Sequence, residues 1–189
     1  HIDALATCAG VGTIGGGTVV TLKEADWRRI FDINVLGTVN WMKAVLPTMI
    51  DQGRGAIVTV ASQLAFNSGG NSAAYIASKG AIVSLTKTSA VDFAKTGVRI
   101  NAVAPAVIDT AMSRTSRDTS PDPAAMQAWR LARHPVGRIG TEGVSPPSPE
   151  PFRVGPPNAA YCSMGVSTAR VLAGCSGSTT NSRIFGSRR

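Results

Sequence analysis

The apolar positions fall into short β-branched runs separated by long amphipathic stretches. Ile2–Thr7 is an apolar run that closes on Cys8-Ala9-Gly10, and it reads as a buried strand. Ala56-Ile57-Val58-Thr59-Val60-Ala61 and Val98-Arg99-Ile100-Asn101-Ala102-Val103 are a second and a third, the last stopped by Pro105. After a Gly-rich loop from Gly10 to Gly17, Thr21-Leu22-Lys23-Glu24 has the Thr-x-x-Glu form of a capping box and predicts a helix from Leu22. Trp27, Ile30, Ile33, Val35 and Val39 carry its period toward Ile50, and Gly53 and Gly55 stop it. Helical spacing returns from Ser72 to Lys95, with Ile76, Ala77, Gly80, Ile82, Val83 and Val91 on apolar faces, and Gly97 ends it. Strands joined by long helices imply βαβ crossovers and a parallel sheet. Because the strands are continuously apolar, both sheet faces should be covered. Residues 111–135 predict a polar loop and a short helix over Ala124–Ala132.

The character changes after about Gly143. Ser145-Pro146-Pro147-Ser148-Pro149 and Gly155-Pro156-Pro157 break any regular element, and the remainder to Arg189 is rich in Ser, Gly and Arg. The reading is an ordered domain over 1–143 and an irregular or disordered tail over 144–189. The switch is also the pattern that a shifted reading frame produces. At its other end the chain opens on His1 rather than Met, which suggests that residues precede it.

Length and composition bound the function. A chain of 189 residues with 43% hydrophobic residues supports one domain with a real core. Cys8, Cys162 and Cys175 have no metal-like spacing and read as free thiols in a reducing compartment, with no metal site. No run is long and apolar enough for a membrane span and no signal peptide opens the chain, so the expectation is a cytoplasmic protein without membrane partners. The net charge of +8 is spread out, with no Lys/Arg block and no aromatic interleaving, which argues against nucleic acid. A mildly basic surface suits an anionic small molecule.

Candidate chemistry centres on Tyr75-Ile76-Ala77-Ser78-Lys79. Four residues apart on a helix, Tyr75 and Lys79 point the same way. An ammonium beside a phenol favours the phenolate, so the Tyr75 pKa should fall toward working pH and make it a proton donor or acceptor for an alcohol/carbonyl pair. The pair alone also describes an ordinary helix surface. Ser62 adds a hydroxyl at the C-terminal end of the second strand, where open α/β sheets form their ligand crevice. Asn34 lies inside an apolar helical stretch and, if buried, needs a polar partner.

Taken together these residues resemble the short-chain dehydrogenase/reductase family. Leu5-Ala6-Thr7-Cys8-Ala9-Gly10 is similar to the family's strand followed by Asn-Asn-Ala-Gly, with Thr7 and Cys8 in place of the two Asn. Asn34, Ser62, Tyr75 and Lys79 match the catalytic Asn, Ser, Tyr and Lys in order and spacing. Asn101–Thr110 resembles the segment that contacts the nicotinamide, with Ala106 for the usual Gly, and His134-Pro135-Val136-Gly137-Arg138-Ile139-Gly140 resembles the stretch before the last helix.

The resemblance implies an α/β, partial Rossmann-like doubly wound parallel sheet, comprising strands 4–6 of the family pattern with their intervening helices. It implies an NAD- or NADP-dependent oxidoreductase that interconverts a secondary alcohol and a ketone of sugar, polyol or keto-acyl type. Tyr75 would be the acid/base, Lys79 would lower its pKa and hold the nicotinamide ribose, Ser62 would orient the substrate oxygen, and Asn34 would position a water in a proton relay. Ala9, Gly10, Asn34, Tyr75, Lys79, Pro105, Ala106, Ile108 and Thr110 would contact the cofactor, and the helices would form a homodimer or homotetramer. Gln63, Leu64, Phe66 and Met112–Arg117 are where a substrate pocket is expected.

The family's Gly-rich phosphate turn has no match. Gly10-Val11-Gly12-Thr13-Ile14-Gly15 has the G-x-G-x-x-G form but follows the strand that matches the family's fourth, so it reads as a false match, and the choice of NAD or NADP is not legible. The first strand should then be an apolar sheet edge, with poor solubility and weak dinucleotide binding. A sugar-nucleotide epimerase or dehydratase would need a larger C-terminal substrate domain than this chain has. The alternative is an inactive fragment that acts as an oligomerising or binding module.

Overall fold

The computed structural model describes residues 1–135 and 137–142, and the backbone of 168–173. The elements, in chain order, are β1 (Ala4–Thr7), α1 (Glu24–Phe31), α2 (Gly37–Asp51), β2 (Gly55–Val60), α3 (Leu64–Asn67), α4 (Ala73–Asp92), β3 (Val98–Pro105), β4 (Ile108–Asp109), α5 (Ala111–Asp118), α6 (Pro123–Ala132), β5 (Gly140–Thr141) and β6 (Thr168–Ala173). A π-helical turn, Asp32–Leu36, joins α1 to α2.

The three predicted strands form one sheet of order β1-β2-β3-β6. β1 pairs parallel with β2 (Leu5 opposite Ile57) and β2 parallel with β3 (Ile57 opposite Ile100), as the crossover argument requires. Within the tail expected to be irregular, β6 runs antiparallel to β3, with Ala173 opposite Ile100. The rest of residues 143–189, including Cys162 and Cys175, lies outside the described residues. Among the described residues β1 is an edge of the sheet.

Burial alternates along β3. Val98, Ile100, Ala102 and Ala104 are buried, while Arg99 is exposed and Asn101 and Val103 are half-buried. The expectation that both faces are covered therefore fails among the described residues. Helices α2 and α4 pack on one face, where Met42, Val45, Leu46, Met49, Ile57, Ala90, Val98 and Ile100 form a single cluster. A buried hydroxyl pair pins α4 to β2 within this layer. Thr86 Oγ1 donates to the Ile82 carbonyl at 2.7 Å, so Thr59, 2.7 Å away, donates to Thr86.

Three local expectations are corrected. The Thr21/Glu24 capping box does not form, and α1 starts at Glu24 rather than Leu22. The Thr21 hydroxyl is instead engaged in a tight turn, accepting from Thr18 N at 2.9 Å. The polar loop after Thr110 is in fact helix α5, capped reciprocally by Thr110 and Ser113. Val91, placed on an apolar face by period, is 67% exposed. The short helix near Ala124 is present as α6, with Asp122 capping Ala125 N at 2.8 Å.

Ile57 is fully buried at the centre of the α2–α4 layer. Ile57→Ala is expected to lower unfolding stability by about 2–5 kcal/mol in urea titrations, the range for such cavities.

Candidate active site

The site forms where β1, β2 and β3 end. The β2–β3 ladder continues past Val60, with Ala61 N donating to Val103 O at 2.8 Å and Gln63 N to Pro105 O at 2.9 Å. Ser62 is therefore held between two backbone bonds. Its hydroxyl accepts from Leu64 N at 3.2 Å, which turns the chain into α3. Ser62 and Gln63 are both buried.

Helix α4 brings Tyr75 and Lys79 to the same place. The Lys79 Nζ donates to Val60 O, the last carbonyl of β2, at 2.6 Å, and lies 5.8 Å from the centroid of the Tyr75 ring. The Ser62 hydroxyl lies near enough to the Tyr75 phenol to lower its pKa. Ser62, Tyr75 and Lys79 thus lie together at the end of β2.

The electrostatics differ from expectation. Burial pushes the Tyr75 phenol above its ordinary value of 10, and the nearby Ser62 hydroxyl only partly offsets this. Burial also lowers Lys79 to about 8, with the nearby Cys8 acting weakly in the other direction. The predicted fall of the Tyr75 pKa does not occur in this chain. Two desolvated groups each favour their neutral form, and the ammonium directs a proton to a carbonyl rather than to the phenol oxygen.

Asn34 is buried and fully engaged by protein groups. It sits in the π-helical turn, 1% exposed. Its Oδ1 accepts from Val11 N at 2.8 Å, and its Nδ2 donates to Val11 O and to Ser78 Oγ, both at 3.0 Å. Ser78 Oγ in turn donates to Tyr75 O at 2.7 Å. The Asn34 carbonyl accepts from Thr38 Oγ1 at 2.9 Å. The predicted polar partner of a buried Asn is therefore present, but these bonds occupy the side chain. Asn34 ties the loop after β1 to α4. The π turn supplies the reach, because one extra residue per turn re-aims a side chain.

Gly10 passes close to this knot. A Cβ there would lie 3.3 Å from Asn34 Oδ1 and 3.5 Å from Lys79 Nζ. Ala9 and Cys8 beside it are exposed. The Gly10–Gly15 segment leads into turns rather than a helix N-terminus, so it is not a phosphate cradle. The next glycine, Gly16, has φ +78° and is pressed against Asn71, so this loop serves packing.

Pro105, Ala106, Ile108 and Thr110 form a half-buried turn from β3 through β4 into α5. Among the residues expected near a substrate, Phe66 and Met112 are exposed on α3 and α5. Met112 Sδ lies 3.9 Å from where a Gly12 Cβ would stand, so α5 reaches back toward the loop after β1. The sequence reading missed His134 and Arg130, both buried polar residues with partners in this region. The signals were polar side chains inside or just after an amphipathic helix and, for His134, its place at the head of the segment that resembles the family's stretch before the last helix. A cavity of about 450 Å³ between Trp27, Val19 and Ile76 is lined by none of the candidate catalytic residues. No metal-ligating cluster occurs among the described residues, and no helix among them is long and apolar enough to cross a membrane.

A parallel α/β sheet with Ser, Tyr and Lys converging at its strand ends defines a Rossmann-type class. The family model for short chain dehydrogenase matches residues 1–121, and the chain belongs to that family. It is 42% identical over 133 residues to 2-(S)-hydroxypropyl-CoM dehydrogenase 3 of Xanthobacter autotrophicus, covering 69% of this chain and 51% of the relative. It is 36% identical over 140 residues to the 3-oxoacyl-acyl-carrier-protein reductase FabG of Thermotoga maritima, covering 74% and 54%. A gluconate 5-dehydrogenase from Burkholderia cenocepacia in complex with NADP and tartrate superposes with TM-score 0.68 at 32% identity, over 74% of this chain and 52% of that one. An NAD+-bound xylitol dehydrogenase gives the same TM-score and identity, over 74% and 57%. The chain spans about half the length of the curated relatives it matches.

The depressed Lys79 pKa makes a stability prediction. A lysine whose pKa is lower in the folded state is protonated at greater cost there, so the cost is full below pH 8 and is relieved as pH rises from about 8 toward 10.5. The unfolding free energy should therefore rise across that window relative to Lys79→Met, in which the rise is absent. Chemical denaturation of both proteins at matched pH values measures the difference.

Proposed function

We propose that the protein carrying this sequence is an NAD(P)-dependent oxidoreductase that interconverts a secondary alcohol and a ketone, with Ser62, Tyr75 and Lys79 as its proton-transfer group. The observation that carries the reading is the Tyr75 phenol beside Ser62 and the buried Lys79 ammonium, which is held on Val60 O at the C-terminal ends of three parallel strands. Relatives named as dehydrogenases and a reductase, and neighbours solved with NADP or NAD+, support the same chemistry.

The donors present fit the ribose and nicotinamide end of a dinucleotide. Lys79 uses one N–H on Val60 O and has two more to offer ribose hydroxyls. Gly10 leaves the approach to Lys79 open where a Cβ would crowd it, and Ala9 is exposed beside it. Pro105, Ala106, Ile108 and Thr110 would face the carboxamide. A bound nicotinamide supplies or accepts the hydride. The side chains handle the proton. Tyr75, held neutral by burial at physiological pH, donates its proton to a ketone oxygen that also accepts from Ser62, and takes the proton back in the oxidative direction. Lys79, as a cation, stabilises the phenolate left behind. Asn34 acts at one remove, by fixing the loop after β1 and the first turn of α4.

The sugar, polyol or keto-acyl class of the substrate rests on the family resemblance, as does assembly into a homodimer or homotetramer. Leu36 and Trp41, exposed along the π turn and α2, together with Val91 on α4, are apolar surface that suits such an interface.

With NAD+ or NADP+ and a panel of secondary alcohols, Tyr75→Phe is expected to lower kcat by about 10²–10⁴, the usual worth of a general acid/base. Dinucleotide affinity should stay within a few-fold of the parent. Undiminished turnover in Tyr75→Phe would remove the mechanism, and dinucleotide binding without turnover in the parent protein would favour a binding module instead.

A further inference from the structure

The turn between β3 and β4 carries Pro105, Ala106 and Ile108, residues read above as cofactor contacts, and its central peptide is Val107. A buried backbone N–H needs a partner. Val107 N finds one in a side chain from the far end of α6, the Nε2 of His134, at 3.2 Å. Among the described residues this is the only side-chain hydrogen bond to the backbone of 105–108. The other nitrogen, Nδ1, lies 2.6 Å from the Arg130 carbonyl in the last turn of α6.

The two partners dictate the tautomer. A carbonyl only accepts, so Nδ1 carries the proton, and Nε2 is left as the acceptor that Val107 N–H requires. His134 is 5% exposed, and its own backbone closes the end of α6, with N donating to Leu131 O at 2.9 Å and O accepting from Gly137 N at 2.8 Å. The imidazole thus joins a helix terminus, whose Arg130 carbonyl also accepts from Arg133 N at 3.2 Å, to a strand terminus whose Val107 N–H has no backbone partner. On its other side Val107 O accepts from Gly140 N at 2.9 Å, so the peptide is gripped from both directions by the 134–140 segment.

From this geometry we infer that His134 is a positioning residue for the cofactor-facing turn, setting the orientation of the peptides on either side of Val107. The inference rests on the oxidoreductase reading for the word cofactor, but the staple itself does not. Replacement by Ala removes both bonds. Replacement by Gln restores an acceptor of the right kind, because its Oε1 can take the Val107 N–H.

Two measurements test it on the full chain. In hydrogen–deuterium exchange without added ligand, His134→Ala should speed exchange in peptides covering 105–110 by roughly three- to tenfold, the worth of one lost hydrogen bond. Peptides from β2 should be unchanged, and His134→Gln should be close to the parent. Equal acceleration in β2, or none at 105–110, overturns the staple. In titrations with NADH against ADP-ribose, and NADPH against 2′-phospho-ADP-ribose, His134→Ala should weaken only the nicotinamide-bearing ligand of each pair, by a similar factor, with His134→Gln recovering it. Equal weakening within a pair overturns the link to the cofactor. If the parent chain binds none of the four ligands, as the missing phosphate turn allows, the exchange result decides the staple alone.

Discussion

The hydrogen bond from Lys79 Nζ to Val60 O ties the helix that carries Tyr75 to the strand that runs into Ser62. It joins the last turn of a parallel ladder to the first turns of α4, across a layer boundary that apolar packing alone would hold only loosely in register. Once it is made, the phenol and the serine hydroxyl have little freedom relative to each other. The buried lysine carries a cost, visible in its lowered pKa, and α4 meets that cost with the Thr86–Thr59 bond and the packing of Ile82, Val83 and Ala90.

A second set of contacts works outward from the same helix. Ser78 receives Asn34, Asn34 holds both polar groups of Val11, and the loop after β1 is thereby fixed beside Lys79. The π turn that aims Asn34 inward interrupts what the apolar period describes as one helix from residue 22 to residue 50. On the opposite rim, His134 and Gly140 hold the turn after β3, while Arg130 donates to Ser113 O at 2.9 Å and to Ser116 Oγ at 3.2 Å and so fixes α5. The candidate site thus lies at the strand ends between two polar knots.

The α/β class, the three parallel strands and α4 were legible because each rests on a pattern that survives context: a β-branched run of about six residues, or apolar positions at helical spacing over some twenty. Ser62, Tyr75 and Lys79 were legible because order along the chain and a four-residue helical spacing are properties of sequence. The Thr21/Glu24 box was misread because the Thr21 hydroxyl had a nearer donor in Thr18. Helix α5 was missed because its residues are polar, and its start is set by the reciprocal Thr110–Ser113 cap rather than by an apolar stripe.

Which chemical groups could meet was therefore written in the sequence. What state they are in when they meet was decided only by the tertiary structure. Proximity of a lysine to a tyrosine argues for an acidic phenol, and that argument holds in water. Burial of both groups reverses it, since the free energy of a charge depends on how much solvent and how many dipoles surround it, and no local pattern encodes that. The roles of Asn34 and His134 belong to the same class. Each depends on a partner more than twenty residues away, Val11 and Ser78 for Asn34 and Val107 for His134, and only folding brings those groups to it.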